Sequence, residues 1–126
     1  MNKKNVQAAE YRNVTDVVAR YVEAVRTGDI DMLIEPFHKD AVTYGTVDGA
    51  LVGGASNPGV DFIKRYGKSP DLEFHIDVLD MTPTTAVVRI VTEKDAIGAD
   101  CIEYQTLVKL DSGWTIMAKF FHQFDM

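Results

Sequence analysis

The spacing of apolar residues changes from a helical period to a strand period near Glu73, and this change constrains the fold. Over residues 14–25, apolar side chains recur at intervals of three and four, as in an amphipathic helix. After Glu73 they alternate along four segments, which are residues 73–79, 85–94, 101–110 and 114–124. Three helices followed by long strands predict an α+β fold, in which the helices pack on a strongly curved mixed or antiparallel sheet.

Residues that favour helix ends divide the first half of the chain. Asn13 is the predicted N-cap of the first helix, and Gly28 follows its last turn. Asp29 is placed to cap a short second helix. Ser56 or Asn57 is placed to cap a third, with Pro58 in its first turn. We therefore expect a flexible tail over residues 1–12 and a single domain over residues 13–126.

Composition excludes several classes of function. The 126-residue chain has a net charge of −6 and no cluster of Lys and Arg, which disfavours nucleic-acid binding. Its apolar runs are too short to span a membrane, and no apolar segment follows the N-terminal lysines as in a secretory signal. Together with the single cysteine, Cys101, these features predict a cytoplasmic protein.

Metal and cofactor motifs are not predicted. His38, His75 and His122 have no ligand-like spacing, so we expect no metal site. The glycines between residues 45 and 54 are spread through turns and do not form a phosphate-binding loop, so we expect no cofactor. Cys101 is predicted to be inert because no histidine is nearby in the sequence.

The last segment, residues 114–124, combines an apolar face with one imidazole. With a period of 2, Trp114, Ile116, Ala118, Phe120, His122 and Phe124 share a face. His122 is then either a hydrogen-bonded residue at the rim of the sheet or the polar group of a pocket. In a pocket it is a candidate general acid or base near neutral pH, because its ordinary pKa is about 6.5.

Two stretches of sequence carry a resemblance to a known superfamily. The first runs through residues 19–25, Gly28-Asp29 and residues 37–41, and the second through residues 104–110 and 113–122. They resemble the nuclear-transport-factor-2-like (NTF2-like) superfamily, which includes SnoaL-like proteins and ketosteroid isomerase and has a cone-shaped, cystatin-like fold. The second stretch resembles its "putative lumazine-binding" branch. The likeness covers nearly the whole chain past Asn13 and implies the fold more specifically than the function.

The resemblance argues against the chemistry of ketosteroid isomerase. That reaction needs a carboxylate base, a tyrosine and a protonated carboxylic acid. Tyr21 matches the tyrosine, but the base position falls at Gly45 and, by ungapped alignment, the acid position falls at Thr106. An isomerase of that type would therefore lack two of its three groups.

The predicted function is small-molecule binding in an apolar cavity suited to a planar aromatic or polycyclic ligand. His122 and Tyr21 would orient the ligand, and they are also the candidate catalytic pair. The predicted lining is Tyr21, Phe37, Tyr44, Phe62, Tyr66, Phe74, Ile102, Tyr104, Thr106, Phe120 and His122. Two alternatives stay open. One is a dehydratase, isomerase or hydrolase that uses His122 with a tyrosine donor, and the other is a structural dimerising module with a filled cone.

The convex face of the sheet is predicted to bind a second copy of the chain. Alternation assigns Leu79, Met81, Leu107, Met117 and Phe121 to this face. The charged and amide side chains that it places among them are Arg89, Glu103, Gln105, Lys109 and Lys119. The mixture suits a partner sheet better than water. Dimerisation through this face is also what the resemblance implies, so we expect a homodimer.

Overall fold

The computed structural model describes residues 6–54 and 57–125. Three helices and six strands follow one another along the chain. The elements are α1 (Ala8–Thr27), α2 (Ile30–Ile34), β1 (Phe37–Val47), β2 (Ala50–Gly53), α3 (Pro58–Tyr66), β3 (Glu73–Met81), β4 (Thr85–Glu93), β5 (Cys101–Leu110) and β6 (Gly113–Gln123). The α+β prediction, with helices packed on a curved sheet, is confirmed.

The first helix begins earlier than its predicted cap. Helix α1 starts at Ala8, so residues 8–12 of the predicted tail are helical. Asn13 lies inside the helix, where its amide donates to Glu10 at 2.7 Å. The helix ends as predicted at Gly28, whose left-handed backbone (φ 74°) suits a residue without a Cβ.

The two short helices have side-chain caps. The Asp29 carboxylate accepts from the Met32 amide at the start of α2. The Asn57 side chain does the same for the Gly59 amide at the start of α3, with Pro58 as the first helical residue. The alternative cap, Ser56, lies outside the described residues.

One six-stranded mixed sheet has the order β2-β1-β6-β5-β4-β3. Strands β1 and β6 are parallel, and the other neighbours are antiparallel. We call the face that packs on the helices the inner face and the opposite face the outer face. The core between α1 and the inner face includes Val14, Val18, Leu107 and Ile116, all fully buried.

A bulge in β6 decides which residues reach each face. Ile116 pairs with Leu107, but the next pair is Ala118 with Thr106, which leaves Met117 as an extra residue. A residue inserted into one strand reverses its alternation beyond that point. Trp114 and Ile116 therefore face the core, whereas after the bulge Lys119 and Phe121 are the inward residues.

Candidate functional site

A pocket lies where several strands end at one edge of the inner face. Its volume is about 140 Å³. Most of its wall is apolar and comes from α1, the β1–β2 hairpin, α3 and the segment before β3. The apolar lining residues are Val22, Val25, Val47, Val52, Pro58, Phe62, Leu72 and Phe121.

One side of the pocket is formed by a buried polar group from α1, β5 and β6. The Tyr21 hydroxyl donates to the Glu103 carboxylate, with oxygen distances of 3.0 and 3.3 Å. The Lys119 ammonium donates to the Tyr21 oxygen at 2.6 Å and lies 3.5 Å from a Glu103 oxygen. We call these three residues the Tyr–Glu–Lys cluster. All three line the pocket, although none is more than 7% exposed.

The register of the sheet explains how the cluster forms. Lys119 pairs with Gln105, and Phe121 pairs with Glu103, so the four side chains occupy two adjacent rows of the inner face. The fully buried Gln105 amide donates to Glu103 at 3.5 Å. Tyr21 belongs to the same core cluster as Val14 and Val18, which lie on the side of helix α1 that packs on the sheet. Helix α1 therefore places the Tyr21 side chain above these two rows.

Charges within the cluster are compensated internally. The pKa of Tyr21 is raised well above its ordinary value, first by burial and then by the negative charge of Glu103. Tyr21 therefore stays a neutral hydrogen-bond donor at physiological pH. The Lys119 ammonium also lies 5.0 Å from the centre of the Tyr21 ring and 5.3 Å from that of Phe121. Both contacts are cation–π interactions.

Phe121 occupies the space beside Gly45. A Cβ built on Gly45 would lie 2.4 Å from the Phe121 ring. The position that would hold the base of a ketosteroid isomerase is thus filled by an aromatic ring. The carboxylate that meets Tyr21 is Glu103, three residues before Thr106, which the ungapped alignment had matched to the acid.

The pocket lining also includes Thr92, Asp95, Cys101 and Gln123. Burial, followed by the charge of Glu103, raises the pKa of the Cys101 thiol, so the thiol stays protonated. One oxygen of Asp95 accepts from the amides of Ile97 and Ala99, at 3.0 and 2.9 Å. These bonds hold the loop between β4 and β5 against the pocket.

Five of the predicted lining residues come from the helical side or the sheet edges. Tyr21 and Phe62 line the pocket. Phe37 is partly buried against the core, and its ring packs edge-on against that of Tyr21 with the ring centres 5.7 Å apart. Tyr66 is 42% exposed and packs beside Phe62, and Phe74 is 48% exposed on the edge strand. Neither Tyr66 nor Phe74 is part of the pocket lining.

The predicted residues from the central strands lie on the wrong face of the sheet for a pocket role. Tyr44, Phe120 and Tyr104 pair across β1, β6 and β5 in one row of the outer face. Ile102, Thr106 and His122 are in the rows on either side. For Phe120 and His122 the prediction failed because it continued the alternation of Trp114 and Ile116 through the bulge. For the residues of β5 it failed because the polar side chains of that strand face inward.

His122 is a hydrogen-bonded residue at the rim of the sheet. Its Nδ1 lies 2.9 Å from the Thr46 hydroxyl, and its ring packs edge-on against Phe124. It lies on the opposite face from Tyr21, so the prediction of a shared site for the two residues is wrong. Of the two alternatives predicted for His122, the hydrogen-bonded residue at the rim of the sheet describes its position.

Glu103 and Lys119 were assigned to the convex face, so the sequence analysis missed them as site residues. One signal in the sequence could have identified them. Glu103, Gln105 and Leu107 alternate along β5, and they pair with Phe121, Lys119 and Ile116 when one residue of β6 is skipped. The predicted convex face needs the same correction. Leu107 is in the core, Phe121 lines the pocket and Met81 is buried, whereas Leu79 is exposed.

Within residues 6–54 and 57–125, no helix has the length and apolar character needed to cross a membrane. Among the same residues, no group of three or more His, Cys, Asp or Glu side chains is arranged to hold a metal ion.

Solved structures with the same architecture define the class of protein. An NTF2-like protein of unknown function from Methylobacillus flagellatus KT has a TM-score of 0.89 and 26% identity, with 98% of each chain covered. Another from Shewanella baltica OS155 has a TM-score of 0.86 and 26% identity, covering 97% of this chain and 100% of that one. This protein therefore has the fold of the NTF2-like class.

The sequence identifies the family within that class. Residues 9–122 match the family described as "Putative lumazine-binding", and the chain belongs to this family. A curated relative, "Aldolase FrzH" from Cladobotryum sp, is 35% identical over 121 residues, which are 96% of this chain and 97% of that protein. The predicted superfamily and branch are confirmed.

Proposed function

We propose that this protein is an enzyme that enolises a small carbonyl compound and uses the enolate for aldol-type carbon–carbon chemistry. The observation that carries the proposal is the Tyr–Glu–Lys cluster on the wall of an otherwise apolar pocket. A buried ion pair adds little to stability compared with well-packed apolar side chains. Such a cluster beside a cavity is therefore a candidate catalytic site.

Each member of the cluster has a defined role in this proposal. The Glu103 carboxylate takes a proton from the carbon next to the substrate carbonyl, and Lys119 donates a hydrogen bond to the oxygen on which negative charge develops. The enolate carbon then attacks a second carbonyl, and the resulting alkoxide takes the proton back from Glu103. Tyr21 holds the two charged groups in place and stays protonated throughout.

The name of one relative supports the reaction class. The Cladobotryum protein is called an aldolase, and it is 35% identical to this chain over nearly the full length of both. Aldol chemistry proceeds through enolisation, for which the cluster supplies a base and a cation. His122, the acid or base of the alternative prediction, is on the other face of the sheet and has no role in this proposal.

The test is exchange of substrate protons for deuterium, which does not require the natural substrate. The probe is 4-phenylbutan-2-one, and proton NMR in D₂O follows loss of the signals next to its carbonyl. We expect the wild-type protein to accelerate exchange and Glu103→Gln to reduce it to the buffer rate. Circular dichroism checks that the variant is folded. The proposal fails if a ketone that saturates the pocket exchanges no faster than in buffer.

Ligand binding without turnover is the second candidate function, and the apolar wall of the pocket favours it. A cavity of about 150 Å³ with apolar walls accepts one benzene ring, so a volume of about 140 Å³ suits one planar ring. Native mass spectrometry of gently purified protein would detect a retained ligand. An adduct that is lost in a Phe62→Ala variant, with no exchange activity in the wild type, would favour this candidate over the enzyme.

We also propose that the outer face of the sheet binds a second copy of this chain. Tyr44, Phe120 and Tyr104 form its central row and are 36%, 49% and 47% exposed. Val42 and Val87 extend the apolar area, at 44% and 37% exposed. A patch of this kind is unusual on a monomer and suits the self-complementary contact of a two-fold dimer.

Sedimentation velocity tests this dimer. The wild type is expected to sediment as a dimer and Phe120→Glu as a monomer, because the new charge would be buried between two sheets. Ile34→Glu is the matched control, since Ile34 is 47% exposed on α2, away from the outer face. A monomeric wild type, or a dimeric Phe120→Glu variant, would contradict the proposal.

A further inference from the structure

The charges that line the pocket restrict the substrates it can take. Its described lining contains three charged residues, which are Asp95, Glu103 and Lys119. The cationic one, Lys119, already contacts Tyr21 at 2.6 Å and Glu103 at 3.5 Å. Asp95 is therefore the charge without an opposite partner in the described lining.

Asp95 is oriented by its own loop and keeps one oxygen available. Its Oδ1 accepts from the Ile97 and Ala99 amides. The described hydrogen bonds leave Oδ2 free, and the residue is half-buried in the pocket lining. The adjacent Lys94 is paired elsewhere, since its ammonium lies 3.2 Å from Glu73.

The spacing of the sheet sets the distance between the two ends of a ligand. Glu103 is two residues along β5 from Cys101, which pairs with Thr92. Two residues of a strand span about 7 Å. Asp95 lies three residues beyond Thr92, so a ligand with its carbonyl at Glu103 would extend at least about 7 Å towards it.

We propose that the substrate is a carbonyl compound that is neutral or carries a protonated amine, with the amine at Asp95. This inference rests on the proposed function, because it takes the carbonyl end from the Tyr–Glu–Lys cluster. The pocket selects against carboxylates and phosphates, which would meet the uncompensated charge of Asp95. A carbonyl compound with a basic nitrogen at least about 7 Å from the carbonyl would reach both ends.

The test uses three ketones that differ in one charged group. They are 4-[4-(aminomethyl)phenyl]butan-2-one, its hydroxymethyl analogue and 4-(3-oxobutyl)benzoic acid, and calorimetry measures the Kd of each. The amine is expected to bind about three- to tenfold more tightly than the alcohol, and the carboxylate more weakly by a similar factor, as for a partly exposed ion pair.

Asp95→Asn is the informative variant because asparagine keeps the Oδ1 acceptor of the loop and removes only the charge. We expect it to abolish the preference for the amine and to leave binding of the alcohol unchanged. Glu93→Gln is the matched control, since Glu93 is an exposed carboxylate outside the pocket lining. It should preserve the order of the three ketones.

Equal binding of the three ketones, no binding of any, or a preference that survives Asp95→Asn would overturn the inference. Its failure is distinguishable from failure of the proposed function. A charge preference without deuterium exchange would leave the substrate class standing and overturn the enzyme. Deuterium exchange without a charge preference would leave the enzyme standing and overturn the substrate class.

Discussion

Replacing Lys119 with methionine tests whether the Tyr–Glu–Lys cluster is a true buried ion pair. Methionine keeps most of the side-chain volume and the contacts with Tyr21 and Phe121, so it opens little cavity. It leaves Glu103, which is only 7% exposed, without a cation. Its remaining partners are the Tyr21 hydroxyl at 3.0 Å and the Gln105 amide at 3.5 Å.

The expected loss of stability follows from these contacts. The Lys119 ammonium lies 3.5 Å from a Glu103 oxygen. Two unit charges about 4 Å apart attract each other by about 4 kcal/mol at the effective dielectric constant of protein sites. Removal of the lysine also recovers part of the free energy spent in burying it. Breaking a buried pair by removing one partner costs about 3–5 kcal/mol. We expect Lys119→Met to lower the free energy of unfolding by about 3 kcal/mol.

A double-mutant cycle with Glu103→Gln separates the pair from its surroundings. The single variants should each be destabilised by about 3 kcal/mol, whereas the double variant has no buried charge at either position and should lie within about 1 kcal/mol of the wild type. Urea unfolding at pH 7, followed by circular dichroism at one protein concentration, measures the four free energies. The reasoning is refuted if Lys119→Met costs less than about 1 kcal/mol, or if the two losses simply add.

Two further predictions concern the pocket and the alkaline range. Gly45→Ala should destabilise the fold by about 1–3 kcal/mol, because its Cβ would meet the Phe121 ring at 2.4 Å; thermal unfolding should show partial recovery when Phe121→Leu is added, and no recovery would contradict it. Tyr21 and Cys101 have raised pKa values in the folded state. Their ionisation therefore favours the unfolded chain above about pH 9 for the thiol and about pH 10 for the phenol. Each should contribute a loss of about 1.4 kcal/mol per pH unit. Urea unfolding across this range should show a shallower decline in Cys101→Ala and in Tyr21→Phe, and unchanged slopes would contradict the prediction.

The helices and strands were predictable because their signals are local. The amphipathic spacing from Val14, the glycine at position 28 and the alternation after Glu73 all act over a few residues. The start of α1 was missed because Asn13 has the character of a cap. In the structure its side chain bonds to Glu10 within a helix that had already begun.

The lining of the pocket was less predictable because the usual rule of apolar inside and polar outside is reversed on part of this sheet. The inner face carries Glu103, Gln105 and Lys119, which are linked to one another and to Tyr21, although the Gln105 Oε1 has no hydrogen-bond partner among the described residues. The outer face carries exposed aromatic side chains such as Tyr104 and Phe120. Hydrophobicity alone therefore assigned β5, and β6 beyond its bulge, to the wrong faces.

Met117 has a consequence for how relatives are compared with this chain. A relative whose strand had the same number of residues but no bulge would present the residues matching Ala118, Phe120 and His122 to its interior instead of those matching Lys119 and Phe121. An ungapped alignment would then equate residues that lie on opposite sides of the protein. Loss of the bulge without loss of a residue would exchange a cationic interior for an imidazole-bearing one, so members of this fold can change their internal chemistry through the register of one strand.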